Sequence, residues 1–283
     1  IDGGTTVNIN GRSLTSPSAA DGILGQASGR LSSLSGTASF SFDGAGDTVG
    51  VKLFSSVNTI NGDITIVGNG NSRGVDIQGT VETTGSGNLR ATGTATSANG
   101  DGIYVENNLV SRARTTGTGD AIFLATGTGT GIDFNVPLDG ASANTGLFSL
   151  TTARNLNFST NRAFTGSVFL RSLTGNISVQ DVSSNLGFIQ MTSNQGNITY
   201  ADLNAAATID LTATQGFITG TSIVAGGNTR VRANGEVVVT GTITSGGYDA
   251  SSASDRFKGT TITGTGPISI FANLDLMVGN ITN

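Results

Sequence analysis

Residues 168–243 read VFLRSLTGNISVQDVSSNLGFIQMTSNQGNITYADLNAAATIDLTATQGFITGTSIVAGGNTRVRANGEVVVTGTI. This stretch repeats itself about every 20 residues, a period typical of solenoid proteins, in three columns that share one register. One column consists of nearly evenly spaced glycines, each followed two positions later by a β-branched residue: Gly175, Gly196, Gly216 and Gly235. The other two columns are apolar: Leu170, Met191, Leu211 and Val231, and Val182, Leu203, Ile223 and Ile243.

Each repeat contains short triplets in which apolar and polar residues alternate, such as Ile189-Gln190-Met191. In a strand with one buried face, the outer residues of such a triplet face the core and the middle residue faces water. The connections between triplets are too short for helical crossovers, so each strand should pair with its equivalent one repeat later. Stacking then aligns Ile177, Ile198, Ile218 and Val237 in an internal ladder. The pattern predicts an all-β protein, a parallel β-helix of about 20 residues per turn, or rung.

The sequence predicts three stretches within one continuous solenoid. Residues 1–61 are expected to form irregular rungs with a long loop near 13–30, and residues 62–146 to form looser rungs. Residues 147–283 are expected to form regular rungs with an inserted loop near 246–258, because the pattern that includes Val231 resumes only at Ile262. The loop holds the densest mixture of aromatic and charged residues: Tyr248, Asp249, Asp255, Arg256, Phe257 and Lys258. Insertions in solenoids often carry function, although we favour a neutral insertion here.

Composition restricts the partners. The net charge is −5 and basic residues form no cluster, which argues against nucleic acid. There is no Cys, and no apolar run approaches the roughly 18 residues that a membrane helix needs, so we expect neither disulfides nor membrane insertion. The chain begins and ends within the repeat pattern. We therefore expect it to be continued by further rungs or by end-to-end self-association.

Catalysis is disfavoured by the residue types. Polysaccharide lyases and glycosidases built on this coil need clustered carboxylates. Glu occurs only at Glu82, Glu106 and Glu236, and His is absent. The series Phe169, Gln190, Asp210 and Arg230 at the middle of the first triplet stacks no acids, although Asp210 and Arg230 are placed for a cross-rung ion pair. We expect no enzyme activity and no catalytic, cofactor-binding or metal-binding residues.

Two further motifs are explained by the turns between strands. Residues 43–47 and 117–120 are similar to the Gly-rich nonapeptide that binds Ca²⁺, but that motif requires tandem copies. Asn-x-Ser/Thr triplets, which are glycosylation acceptors in suitable hosts, begin at Asn157, Asn176, Asn197 and Asn280. Three of these triplets coincide with the corner of the repeat, so the fold explains the motif, and modification stays open.

The corners resemble those of a known family. Gly-Asn-Ile-Ser at Gly175, Gly-Asn-Ile-Thr at Gly196 and Gly279, and Gly-Asp-Ile-Thr at Gly62 look like filamentous-haemagglutinin-type adhesins, the exoproteins of two-partner secretion. The resemblance covers most of residues 62–283. It implies a right-handed β-helix that a bacterium exports to the extracellular space or to its cell surface, where it is displayed as a fibre for attachment or aggregation.

The expected function is a structural stalk or fibre segment of an adhesin-like protein that mediates attachment, aggregation or filament formation. Surface glycans or receptors are possible partners. Two alternatives stay open at the level of the sequence: a carbohydrate-active β-helix, either a polysaccharide lyase or a glycosidase, and a viral or phage fibre.

Overall fold

The structure is a computed structural model, and it describes residues 6–12, 21–25, 30–32, 37–106, 112–127, 131–134, 146–152, 154–158, 161–252, 256–272 and 275–282. The described residues form 32 strands and no helix. The chain divides into two compact units, Ile1–Ala153 and Arg154–Asn283. In each unit parallel strands stack into a β-solenoid, which confirms the predicted fold class.

Unit 1 contains three stacks of parallel strands. Stack A comprises β1 (Thr6–Arg12), β4 (Ser39–Ala45), β7 (Ile64–Gly70), β10 (Leu89–Ala95), β13 (Ala121–Gly127) and β15 (Leu147–Thr152). Stack B comprises β2 (Ile23–Gly25), β5 (Val49–Leu53), β8 (Arg73–Ile77), β11 (Asp101–Val105) and β14 (Gly131–Phe134). Stack C comprises β3 (Arg30–Ser32), β6 (Ser56–Thr59), β9 (Thr80–Thr83) and β12 (Arg112–Thr115).

The rungs of unit 1 are long and unequal. Phe40 pairs with Ile64, Ile64 with Leu89, and Leu89 with Ala121, so the last of these intervals is clearly the longest. All four side chains are buried, so the core column is kept although the spacing varies. Unequal spacing of this kind is what the sequence predicts for residues 62–146. The predicted loop near 13–30 is wrong in part, because Ile23–Gly25 is a strand that pairs with β5, and residues 13–20 and 26–29 lie outside the described residues.

Two columns of glycine face each other between stacks A and B. A Cβ atom on Gly68 would lie 2.0 Å from the Gly74 carbonyl oxygen, and one on Gly93 would lie 1.8 Å from the Gly102 oxygen. Real Cβ atoms do not approach backbone oxygens so closely. The backbones of the two stacks therefore meet directly at Gly68 and Gly93, where even an alanine would clash. The column on stack A ends at Ala125, which pairs with Gly93.

Unit 2 also contains three strands per rung. Stack D comprises β18 (Ser167–Ser172), β21 (Ile189–Ser193), β24 (Ile209–Ala213), β27 (Asn228–Ala233), β29 (Gly247–Ser252) and β31 (Ile268–Ala272). Stack E comprises β16 (Leu156–Phe158), β19 (Ile177–Val179), β22 (Ile198–Tyr200) and β25 (Ile218–Gly220). Stack F comprises β17 (Arg162–Phe164), β20 (Val182–Ser184), β23 (Asp202–Ala205) and β26 (Ser222–Ala225). Three longer strands continue the coil, namely β28 (Val237–Ser245), β30 (Arg256–Gly264) and β32 (Asp275–Thr282).

The rungs of unit 2 are nearly equal. Along stack D, Val168 pairs with Ile189, Ile189 with Ile209, Ile209 with Thr229, and Thr229 with Tyr248, so equivalent residues recur at almost constant intervals. The predicted ladders are confirmed as paired, buried columns: Leu170, Met191, Leu211 and Val231; Ile177, Ile198, Ile218 and Val237; and Val182, Leu203, Ile223 and Ile243.

The inserted loop predicted near 246–258 is wrong. Residues 247–252 form β29, which pairs along its whole length with β27, and Phe257 in β30 pairs with Val237 in β28. The described residues of this segment therefore belong to paired strands of a rung. The physical reason is that Ile262 pairs with Ile243 in the third column of the coil rather than with Val231 in the first, so the prediction compared two different faces. Asp255 lies outside the described residues.

Candidate functional site

Amide side chains form a ladder at one corner of each unit. In unit 2 the backbone N–H of Asn176 donates to Asn155 Oδ1 at 2.8 Å, and that of Asn197 donates to Asn176 Oδ1 at 2.8 Å. The N–H of Phe217 then donates to Asn197 Oδ1 at 3.0 Å. Each side chain supplies the acceptor that the corner of the next rung requires. The Asn-x-Ser/Thr triplets at Asn176 and Asn197 are thus part of the repeat itself.

Unit 1 has a corresponding ladder that uses carboxylates as well as an amide. The N–H of Asn88 donates to Asp63 Oδ1 at 2.8 Å, and the N–H of Asp120 donates to Asn88 Oδ1 at 2.9 Å. The N–H of Leu147 donates to Asp120 Oδ1 at 3.0 Å. Asp120, which belongs to one of the two Gly-rich motifs similar to a Ca²⁺ site, therefore performs turn chemistry.

Buried hydroxyls lock the corners that precede these ladders. Ser193 Oγ donates to the carbonyl of Gly175 in the previous rung at 2.8 Å and accepts the N–H of Gly196 at 3.0 Å. Ser172 makes the same two bonds at the equivalent corner, with the Arg154 carbonyl and the Gly175 N–H.

Ser184 makes the same two bonds at a different corner, at the end of a strand of stack F, with the Gly166 carbonyl and the Gly187 N–H. Thr59 makes the same two bonds in unit 1, with the Ala38 carbonyl and the Gly62 N–H. Ser/Thr-x-x-Gly is thus a structural unit of the coil, which sequence analysis missed.

Charged side chains alternate on the outer face of stack D. Arg230 lies between two carboxylates, with Nη1 3.7 Å from Asp210 Oδ2 and Nε 3.8 Å from Asp249 Oδ2. Arg232 Nη2 is 3.4 Å from the same Asp249 oxygen. The predicted Asp210–Arg230 pair is confirmed, and the following rung adds Asp249. These pairs are exposed, so each contributes at most about 1 kcal/mol to stability.

A surface hollow of about 370 Å³ lies beside these charges. Its lining comes from the corners and first strand residues of successive rungs, and includes Asp210, Asn228, Arg230, Gly247, Asp249 and Pro267. Asn228 pairs with Gly247 across the rungs. A Cβ atom on Gly247 would lie 2.8 Å from Asn228 Oδ1, so a larger residue would press on the side of the hollow.

A second charged cluster lies on stack B of unit 1 and is centred on a fully buried carboxylate. Asp76 Oδ2 accepts a hydrogen bond from Arg73 Nη1 at 2.8 Å, and both oxygens are 3.2 Å from Gln78 Nε2. Lys52 Nζ lies 4.0 Å away. Asp76 therefore has the paired, hydrogen-bonded environment that a buried charge requires.

Arg73 connects this carboxylate to the next rung. Its guanidinium carbon lies 3.6 Å from the centre of the Tyr104 ring, and its Nε lies 3.9 Å from Asp101 Oδ2. Burial disfavours the charged guanidinium, but the hydrogen bond and charge of Asp76 outweigh it and raise the pKa of Arg73. Every group in the cluster is committed to a neighbour, which is the arrangement of a structural network.

Two buried tyrosines lie in the core of unit 2. Burial, with a smaller contribution from the charge of Asp202, raises the pKa of Tyr200. Burial also raises the pKa of Tyr248, with smaller contributions from Tyr200 and Asp249. The Tyr200 ring lies over Gly220, where a Cβ atom would come within 2.0 Å of the ring. Both side chains are core residues, and their hydroxyls stay protonated at neutral pH.

The glutamates considered for catalysis do not come together among the described residues. Glu82 Oε1 is 2.9 Å from Arg114 Nη2 in a cross-rung ion pair on stack C. Glu106 follows stack B of the same unit, and Glu236 lies at a corner of unit 2. The described part of the chain contains no group of three or more carboxylate, imidazole or thiolate side chains suited to a metal ion. It also contains no helix able to cross a membrane.

Comparisons with protein-family models, with curated proteins and with solved structures produced no match to this chain.

Proposed function

We propose that this chain is a structural stalk or fibre segment of an extracellular, adhesin-like protein at a bacterial surface, where it mediates attachment, aggregation or filament formation. Its role is to hold rungs in register. End-to-end self-association or continuation within a longer chain fits this role, as does contact with surface glycans or receptors.

The observation that supports the proposal is how the polar corner side chains are used. Asn155, Asn176 and Asn197 direct their carboxamide oxygens to the next rung, and Ser172 and Ser193 direct their hydroxyls to the previous rung. A catalytic surface needs polar groups held free for a substrate. Here the repeated polar groups stabilise stacking itself, which is the requirement of a spacer.

The experiment compares an inside and an outside substitution in chains displayed on bacterial cells. Ile198 is fully buried, whereas its neighbour Thr199 is exposed on the same strand. Ile198→Asp should abolish attachment and aggregation, because the rungs open, whereas Thr199→Asp should leave both unchanged. Equal attachment by the two variants would contradict a role that depends on intact rungs.

A second measurement distinguishes the stalk from a carbohydrate-active β-helix. The purified chain is incubated with acidic and neutral polysaccharides, and new reducing ends or unsaturated products are followed over time. No turnover is expected. Turnover that disappears on substitution of a pair of acidic residues would overturn the structural proposal.

A further inference from the structure

We propose that the hollow on stack D is a binding subsite for an uncharged saccharide, with Asp210, Arg230 and Asp249 as its hydrogen-bonding groups. The proposal deepens the attachment role proposed above and rests on it.

The hollow is lined at one corner by a residue without a side chain, Gly247. Asn228 is paired with Gly247, and Pro267 occupies the corner one rung later, where its carbonyl accepts the Tyr248 N–H at 2.9 Å. Any side chain at Gly247 would extend toward Asn228 Oδ1 and narrow the space. The opening is therefore a fixed feature of paired rungs.

The polar groups beside the hollow keep unused hydrogen-bonding capacity. Arg230 lies 3.7 Å and 3.8 Å from its two carboxylates, whereas a direct charge-assisted hydrogen bond measures about 2.7–2.9 Å. The side chains of Asp210, Arg230 and Asp249 are 33%, 51% and 48% exposed. The hydrogen bonds that the two carboxylates accept, from Arg232 Nη2 to Asp249 Oδ2 and from Thr212 Oγ1 to Asp210 Oδ1, are long at 3.4 Å. The guanidinium N–H groups and carboxylate oxygens can therefore turn to a ligand without breaking short bonds.

The alternation of charge selects the class of ligand. Asp210 and Asp249 carry two negative charges and Arg230 and Arg232 carry two positive charges, so the cluster has no net charge and offers neither an anion nor a cation a net attraction. A sugar hydroxyl both donates and accepts, so it suits a row in which acceptor, donor and acceptor follow at successive rungs, about 4.8 Å apart. Pro267, which is exposed at the end of the row, offers an apolar surface to a sugar ring.

The test measures binding of neutral oligosaccharides to the full chain at physiological salt. The probes are hexasaccharides of glucose, galactose and mannose, with heparin as the anionic comparison, followed by ligand-observed NMR. At least one neutral probe is expected to bind, and Arg230→Gln and Asp249→Asn should each weaken its binding at least about tenfold. Gly247→Val, which fills the hollow without changing charge, should also abolish binding.

The matched control is Arg90→Gln, which removes an exposed arginine from the outer face of stack A in unit 1. It should leave saccharide binding unchanged. Absence of binding by all three neutral probes would overturn the proposal, as would equal losses in the Arg90 and Arg230 variants or a preference for heparin. Far-UV circular dichroism of each variant verifies that the rungs are intact. If no saccharide binds but the rungs are intact and displayed chains still attach, the subsite proposal fails and the stalk proposal stands.

Discussion

At the scale of single residues, buried polar atoms in this coil are tolerated where each has a partner in another rung. Ser193 is fully buried, yet its hydroxyl joins the Gly175 carbonyl and the Gly196 N–H. A buried N–H or C=O that loses its partner costs far more than an exposed one, because water cannot replace the bond. Short hydroxyl side chains therefore stabilise corners that apolar residues of the same size would leave unsatisfied.

Ser193→Ala should destabilise the protein by about 1–3 kcal/mol, because it removes two hydrogen bonds from a buried hydroxyl to partly buried backbone groups. The free energy of unfolding is measured by urea titration. Thr192→Ala, on the half-exposed neighbour in the same strand, is the control and should cost less than about 0.5 kcal/mol. Similar losses in the two variants would show that the Ser193 bonds do not hold the corner.

Tyr200 makes the stability sensitive to alkaline pH. Because burial raises its folded-state pKa above the unfolded value of about 10, its contribution is fully present below pH 10 and is lost as the pH rises further. Above pH 10, wild type should lose up to about 1.4 kcal/mol per pH unit more than Tyr200→Phe.

At pH 7 the Tyr200→Phe variant should be at least as stable as wild type, because the Tyr200 hydroxyl has no hydrogen-bond partner within the described part of the chain. Urea titrations at pH 7, 9 and 11 test both statements. If the free energy of unfolding changes equally with pH in the two proteins, Tyr200 ionises without unfolding.

At the scale of elements, equivalent residues of successive rungs form columns in unit 2. The Asn ladder ends where its column changes from asparagine to phenylalanine. Phe217 follows Asn197 in the ladder and is 44% exposed. In the register of β25 and β28, Phe217 lies opposite Glu236. A phenyl ring offers no acceptor to the Glu236 N–H, so the ladder of side-chain acceptors stops at Phe217.

Phe217→Asn should extend the ladder and be more stable than Phe217→Ala by about 0.5–1.5 kcal/mol. The alanine variant accounts for loss of the partly exposed ring, so the difference isolates the new hydrogen bond. Thermal and urea unfolding of the two variants measure it. If asparagine and alanine give the same stability, the ladder contributes nothing beyond the backbone pairing.

The strands that sequence reasoning predicted are those with equal spacing and β-branched residues. Ile177, Ile198 and Ile218 recur at nearly constant intervals after glycine, so their pairing could be predicted from the sequence. The rung at residues 247–252 was missed because Tyr248 and Ala250 replace the usual aliphatic residues of the column. The glycine column also stops at Gly235, because the residue two positions before Phe257, the partner of Val237, is Asp255 and not glycine.

The candidate sites were predicted only in part, for the same reason. Asp210 and Arg230 occupy equivalent positions in adjacent rungs of the regular zone, so their pairing followed from the period. Asp249 was missed together with its rung. Lys52, Asp76 and Tyr104 form one column of stack B, but the interval from Lys52 to Asp76 is shorter than that from Asp76 to Tyr104. Unequal rungs hide such a cluster until the register is known.

At the scale of the whole molecule, the two units solve the same stacking problem with different rung lengths. Unit 1 keeps its core columns although the interval between paired residues varies widely, whereas unit 2 keeps that interval almost constant. Extra residues between strands cost little, because loop-closure entropy grows only slowly with length. What each rung must preserve is the inward column, and both units preserve it.

Damage to one rung should therefore spread mainly to its neighbours. Ile198→Asp places an uncompensated charge in the core of unit 2, and Val75→Asp does so in unit 1, since both side chains are fully buried. Hydrogen–deuterium exchange should show each variant losing amide protection most strongly in the rungs adjacent to its substitution.

Thr199→Asp is the control for this exchange experiment, because the residue faces outward on the same strand as Ile198. Its exchange pattern should match that of wild type. Uniform loss of protection across both units in either core variant would indicate a single cooperative block instead of nearest-neighbour coupling.

The equal rungs of unit 2 have a genetic consequence. Loss of the codons for residues 189–208 would join Phe188 to Ile209, and Ile209 would then occupy the position opposite Val168 that Ile189 holds now. Unequal crossing-over between such similar blocks keeps every inward column aligned, so alleles could differ by whole rungs and lengthen or shorten the coil in steps of about 4.8 Å. The unequal rungs of unit 1 give recombination no common unit, so we expect its length to vary less than that of unit 2.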